Sequence, residues 1–194
     1  MKTRILLAIL MLHGVSDAQN FQRFSQLNFT QSFINPAALS IDAKYQVDMI
    51  YRNQWYKFDG APATMAASAQ YELAPDMAVG VNFYNDQIGK FQNNAFNAQY
   101  AYRLLFDQSN ALIFGVGAGI ESKVADLAST NTIQPNDPTF AQGFSQIFFN
   151  SSFGMYYYSP MFYIGASIPQ MFQTNFSGED GFKPSDFHYY FSTG

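Results

Sequence analysis

Apolar and polar residues alternate with a period of two through most of the chain beyond residue 43. Between Lys44 and Tyr56, Met49, Tyr51, Asn53 and Trp55 share one parity, and Asp48, Ile50, Arg52 and Gln54 share the other. Thr64 to Leu73 repeats the pattern, with Met65, Ala67, Ala69, Tyr71 and Leu73 set against Ser68, Gln70 and Glu72. Met77–Tyr84, Asn94–Leu104, Ala111–Ser122, Phe144–Tyr158, Met161–Ile168 and Phe187–Thr193 follow the same rule. In Ala111–Ser122 one face is Leu112, Phe114, Val116, Ala118 and Ile120, and the other is Gly115, Gly117, Gly119 and Glu121. A period of two places alternate side chains on opposite faces of a strand. No stretch carries a helical period, so the pattern predicts an all-β chain of about eight strands.

The connections between these strands are unequal. In order they are Lys57–Ala63, Ala74–Asp76, Asn85–Asn93, Leu105–Asn110, Lys123–Gly143, Ser159–Pro160 and Pro169–Asp186. Each odd-numbered connection is longer than the even one that follows. An up-and-down meander with short turns at one end and long loops at the other is the layout of an outer-membrane barrel. Asp59-Gly60 marks the first turn. Tyr45, Trp55, Tyr71, Tyr84, Tyr102 and Tyr157 stand near strand ends, where interfacial aromatics belong.

Composition supports that solvent assignment. Only 12% of residues are charged, while 18% are aromatic, with 21 Phe and 13 Tyr. A typical globular chain carries about 25% charged residues, and they build its surface. A soluble sandwich or lipocalin-like barrel shares the alternation, but the scarcity of surface charge argues against it. The net charge of −4 spread over so few Lys and Arg makes nucleic acid an unsuitable partner. With no cysteine, disulfides and thiolate chemistry are excluded.

Residues 1–18 read as a secretory leader: Lys2 and Arg4, an apolar run from Ile5 to Leu12, and Ser16-Asp17-Ala18 before the cleavage point. Residues 19–40 lack periodicity and contain the turn signal Asn35-Pro36. They read as an extended N-terminal segment, periplasmic or lumenal, ahead of a barrel over 41–194. His188 is the only histidine after the leader, which leaves a Ser-His-Asp hydrolase or a histidine metal site little to draw on. Gly115-Val116-Gly117-Ala118-Gly119 lacks nucleotide-loop spacing and reads as a strand with a small inner face. The residues therefore point to no catalytic, metal or cofactor site. Asp48, Arg52, Gln70 and Glu72 share the inward parity on adjacent strands and are candidates for a polar cluster in the lumen.

Several short stretches resemble the PorP/SprF family of outer-membrane proteins of type IX secretion and gliding in Bacteroidetes. They are Arg23-Phe24-Ser25-Gln26, Asn35-Pro36-Ala37, Tyr51-Arg52-Asn53-Gln54-Trp55, Phe58-Asp59-Gly60-Ala61-Pro62, Asn85-Asp86-Gln87-Ile88-Gly89, Tyr100-Ala101-Tyr102-Arg103, Tyr163-Ile164-Gly165-Ala166-Ser167-Ile168-Pro169 and His188-Tyr189. They stand in the family's order. The resemblance implies an antiparallel barrel of about fourteen strands, of which this chain would supply about eight. It also implies a non-enzymatic role in exporting or holding a large secreted partner such as an adhesin, embedded in outer-membrane lipid and touching periplasmic motor or peptidoglycan-linked proteins. Trp55, Lys57, Phe58, Asp59, Gly60, Asn85 and Asp86 would then form a docking surface on the outer loops. A general porin, or a soluble secreted β-domain that binds a ligand, are the competing readings.

Overall fold

The computed structural model describes residues 31–39, 43–55, 57–107, 109–126, 143–175 and 188–194. The leader and residues 19–30 lie outside them. A helical turn, Gln31–Ile34, and a 3-10 turn, Pro36–Ala38, precede eight strands. These are β1 Tyr45–Asn53, β2 Ala63–Ala74, β3 Met77–Ile88, β4 Phe91–Leu105, β5 Ala111–Ala125, β6 Phe144–Tyr158, β7 Tyr163–Asn175 and β8 Tyr190–Thr193. They pair antiparallel in sequence order, β1 to β8, as an open half-barrel.

The two faces of the sheet are chemically distinct. Tyr45, Val47, Met49, Tyr51, Met65, Leu73, Val81, Phe96, Val116, Ile120, Phe149 and Ile164 all project from the convex face and are exposed. Val47 and Met49 are each 74% exposed, an extreme for apolar side chains repeated along one strand. A contiguous apolar surface crossing eight strands far exceeds the few hundred Å² a water-facing surface tolerates. It suits hydrocarbon. The concave face is built from small and amide-bearing residues: Ser68, Gln70, Ala78, Asn82, Gln99, Ala101, Ser152 and Ser167 are buried there.

Three differences from the sequence expectation have physical causes. First, β3 and β4 continue to Ile88 and from Phe91, so Asn85–Asn93 is no loop. Asn85 pairs with Asn94 and Asp86 with Asn93 in the ladder. Polar residues occupy both parities there, so alternation fades although pairing persists. The hairpin closes on Gly89 at φ +59, a left-handed conformation glycine adopts at no steric cost. The third connection is therefore shorter than the fourth (residues 89–90 against 106–110), which breaks the long-then-short rule at that one place. Second, β7 runs through Pro169 to Asn175. The register shift opposite Ser151 and Phe153 absorbs the proline, which has no amide hydrogen for the ladder. Third, β1 stops at Asn53, so Trp55 belongs to the turn.

Candidate functional site

The concave face is organised in rows that cross the sheet at matching register. One row is Glu72, Ala78, Ala101, Gly115, Gly154 and Ser167. The next is Gln46, Gln70, Gly80, Gln99, Gly117 and Ser152. A third is Asp48, Ser68, Asn82, Asn97, Gly119 and Asn150. A fourth contains Tyr84, Ala95, Glu121 and Phe148.

Residues 31–39 lie across the first rows. Pro36 and Ala37 are fully buried, and Leu39 is 1% exposed against Ala78, Ala101 and Ile113. The glycines make this docking possible. A Cβ on Gly115 would overlap Pro36 C and Ala37 N, and one on Gly154 would overlap Asn35 Oδ1. On Gly80 it would stand 2.6 Å from Leu39 Cδ2. Leaving out three side chains on three strands thus creates a cradle for one backbone segment.

Polar bonds lock the segment in place. Asn35 Nδ2 donates to the carbonyls of Met155 (3.2 Å) and Ala166 (3.5 Å), and Asn35 Oδ1 accepts from Ala37 N at 2.9 Å. Asn35 is thereby also the N-cap of the Pro36–Ala38 turn, with proline at the position where a missing amide hydrogen costs nothing. Gln99 Nε2 donates to the Ser32 carbonyl at 2.7 Å, and the Ser32 hydroxyl donates to Asn82 Oδ1 at 3.3 Å.

Beyond the segment stands a carboxylate that the sequence reading did not single out as a site. Glu121 is 4% exposed. Its Oε1 accepts from Asn93 Nδ2 at 2.7 Å and from the Tyr84 hydroxyl at 3.1 Å, with Lys123 Nζ 3.6 Å away. Its Oε2 accepts from Gln170 Nε2 at 3.4 Å. Lys123 also lies 5.0 Å above the Phe148 ring. An ionised carboxylate is tolerated at this burial because a cation and three donors surround it. The available signal was the break in the glycine series Gly115-x-Gly117-x-Gly119-x-Glu121. Its partners come from β3, β4 and β7, which no local pattern brings together.

The four residues expected to cluster in the lumen share the concave face but fall in four different rows. Asp48 Oδ2 accepts from Gln46 Nε2 at 2.7 Å and from the Ser68 hydroxyl at 3.3 Å. Arg52 lies against the Gln54 side chain. Gln70 is buried opposite Gln46, and the Glu72 amide donates to the Lys44 carbonyl at 2.7 Å.

The expected outer-loop residues also divide. Trp55, Lys57, Phe58, Asp59 and Gly60 sit together in the β1–β2 connection. Trp55 (φ 53) and Lys57 (φ 73) both occupy left-handed backbone, a costly conformation for side chains of that size. The Trp55 and Phe58 rings meet edge to face at 6.5 Å, and both are about 70% exposed. Gly60, at φ +74, ties this loop to the next hairpin, its carbonyl accepting from Gly89 N at 3.0 Å. Asn85 and Asp86 lie in β3 instead: Asn85 Nδ2 donates to Asn94 Oδ1 at 2.6 Å, and the Thr64 hydroxyl donates to Asp86.

Comparison with known proteins gives one match of nearly full length. The family model described as type IX secretion system membrane protein PorP/SprF matches residues 16–194. No curated protein and no solved structure matches the chain.

Proposed function

The chain belongs to the PorP/SprF family of type IX secretion system membrane proteins, and from that premise we propose that it is a non-enzymatic outer-membrane component. Its work is to support the export or surface attachment of a large secreted partner, such as an adhesin used in gliding. The observation that carries this reading is a family match running from residue 16 to residue 194. The apolar convex face agrees with it, since that surface demands lipid. So does the concave face, whose first rows are covered by the chain's own segment. A general porin needs a wide hydrated lumen, whereas here Gln31–Leu39 occupies the cradle.

In this reading the leader exports the chain, and its contacts to the rest of the machinery are made at the two ends of the strands. Trp55, Phe58 and Lys57 form an exposed group at one of those ends. Such a group has the aromatic and cationic chemistry of an anchor for a protein partner. Asp48, Arg52, Gln70 and Glu72 serve as polar filling of the lumen.

A strain deleted for this chain is expected to lose its large adhesin-like exported protein from the cell surface while other outer-membrane proteins remain. Surface labelling and immunoblotting of whole cells and medium read this out. Unchanged export and display of that protein in the deletion strain would sink the proposal.

A further inference from the structure

The apolar rows of the convex face begin at the short turns and stop before the β3–β4 hairpin. The row nearest the short turns is Leu104, Leu112, Tyr157 and Ile164. The last apolar row towards the other end is Phe83, Phe96, Ile120 and Phe149. Beyond it come Asn85, Asn94, Ser122 and Ile147, then Gln87, Gln92, Val124 and Ser145. Amides and hydroxyls dominate both of these rows, so the strands leave the hydrocarbon there. Along β5 the apolar rows run from Leu112 to Ile120. At a rise of about 3.3 Å per residue and a tilt of about 40°, that span is about 20 Å high, roughly one row less than the ~25 Å apolar band of an outer-membrane barrel.

The short turns carry what the rows lack. Phe106 and Phe162 keep the convex parity of Leu104 and Ile164, and Met161 stands next to Phe162. All three are exposed, Met161 at 91%. Turns that face water are built from Gly, Pro, Asn, Asp and Ser, so apolar tips call for another solvent. The polar groups of these turns bond to one another. Phe106 N donates to the Asn110 carbonyl at 2.9 Å, and Ser159 N donates to the Phe162 carbonyl at 3.0 Å. Asp107 Oδ1 accepts from the Ser109 and Asn110 amides at 2.8 and 2.7 Å, and Oδ2 accepts from Asn110 Nδ2 at 2.7 Å. The Tyr157 hydroxyl donates to Asn110 Oδ1 at 3.4 Å and its ring lies 5.7 Å from Phe162, which joins the two turns.

We infer that the β4–β5 and β6–β7 turns seat Phe106, Met161 and Phe162 in lipid, at the headgroup boundary of the leaflet on the short-turn side. Satisfied polar groups with apolar side chains turned outward are what that boundary selects. The surface is continuous with the lipid-facing rows, because Phe162 packs on Tyr157 and Phe106 follows Leu104 on the same face. Asp107 sets the depth: its carboxylate belongs among headgroups and not among acyl chains. The chain then rides off-centre. At the other end two convex rows, about 10 Å of strand height, stand in water and carry the β3–β4 hairpin with them. The Gly60–Gly89 bond holds the Trp55–Phe58 loop beside that hairpin, above the hydrocarbon. The inference rests on the outer-membrane half of the proposed function.

The test places one tryptophan at a time in the full Trp55→Phe chain, in phosphatidylcholine vesicles. The lipid carries bromine either near the headgroup or near the end of the acyl chain. Phe106→Trp and Met161→Trp are expected to lose roughly half their emission to the shallow bromine, and clearly less to the deep one. Gln92→Trp, on the convex face beyond the apolar rows, should respond to neither and be quenched by aqueous iodide. If Phe106→Trp fails to assemble, Met161→Trp on the neighbouring turn is read the same way.

Phe106→Trp and Met161→Trp open to iodide and untouched by bromine, with Phe114→Trp still quenched by lipid, would overturn the lipid-seated turns and keep the outer-membrane reading. No bromine quenching at 106, 161 or 114 would overturn both. Bromine quenching of Gln92→Trp equal to that of Phe106→Trp would overturn the off-centre seating. The chain has no cysteine of its own, so Met161→Cys adds one last arm. Turns bare in vesicles, with that thiol shielded from a water-soluble maleimide in outer membranes from cells, would assign them to a protein partner instead of lipid.

Discussion

Gly115→Val is expected to expel Gln31–Leu39 from the concave face and to cost at least ~3 kcal/mol. The new Cβ would overlap backbone, Pro36 C and Ala37 N, so no rotamer change relieves it. Overpacking alone costs about 1–3 kcal/mol. Displacing the segment forfeits the burial of Leu39, worth about 1.5–3 kcal/mol, and the two carbonyl bonds made by Asn35 Nδ2. Two readouts check this: guanidinium unfolding in detergent micelles and chymotrypsin cleavage at Phe33. Cleavage should be slow in the parent and fast in the variant. Val116→Leu, one residue away on the lipid-facing side, should stay within ~0.5 kcal/mol of the parent. A Gly115→Val protein that protects Phe33 as well as the parent would show that the cradle is not needed.

The second large effect belongs to Glu121. Glu121→Ala leaves the Tyr84 hydroxyl, the Asn93 and Gln170 amides and the Lys123 ammonium without their acceptor. Breaking one side of a buried charged pair costs about 3–5 kcal/mol. The Lys123 side chain is 33% exposed and can recover water, which places the expected loss near ~3 kcal/mol. Glu121→Gln keeps the shape and one acceptor, so it should lose about half as much. Removing both charges with Glu121→Leu and Lys123→Leu should be less damaging than Glu121→Ala, because no unpaired ion remains. A double-mutant cycle on unfolding free energies measures the coupling. A cycle showing no coupling between 121 and 123 would contradict this account of the network.

How much of this was legible in the residues depends on which face they occupy. The convex face was readable along the middle of the strands, because one solvent, hydrocarbon, imposes one rule on every second residue there. Leu112, Phe114, Val116, Ala118 and Ile120 of β5 were assigned together, and they share a face in the structure. The strand ends were less legible. Around Asn85–Asn93 and Gln170–Asn175 both parities are largely polar, so the alternation that marks a strand disappears where the chain still pairs.

The concave face was the least legible. Gly80, Gly115 and Gly154 have no local turn to explain them. Their reason is a segment about 40 to 120 residues earlier in the chain. Asp48 and Arg52 carry charge, yet Asp48 bonds only to Gln46 beside it and Ser68 across from it, and Arg52 lies against Gln54. The deeper network gathers around Glu121 from β3, β4, β5 and β7. Non-local convergence of that kind has no period to detect.

The central claim is that adjacent residues of one strand meet different media, lipid outside and protein inside. The chain's single tryptophan, Trp55, makes this directly measurable. In a Trp55→Phe background, Phe114→Trp and Ile113→Trp place one fluorophore at nearly the same depth on opposite faces of β5. In vesicles of brominated phospholipid, Phe114→Trp should be strongly quenched. Ile113→Trp, at a site only 2% exposed beneath the docked segment, should be almost unaffected. Equal quenching at the two positions, or stronger quenching at 113, would contradict the account.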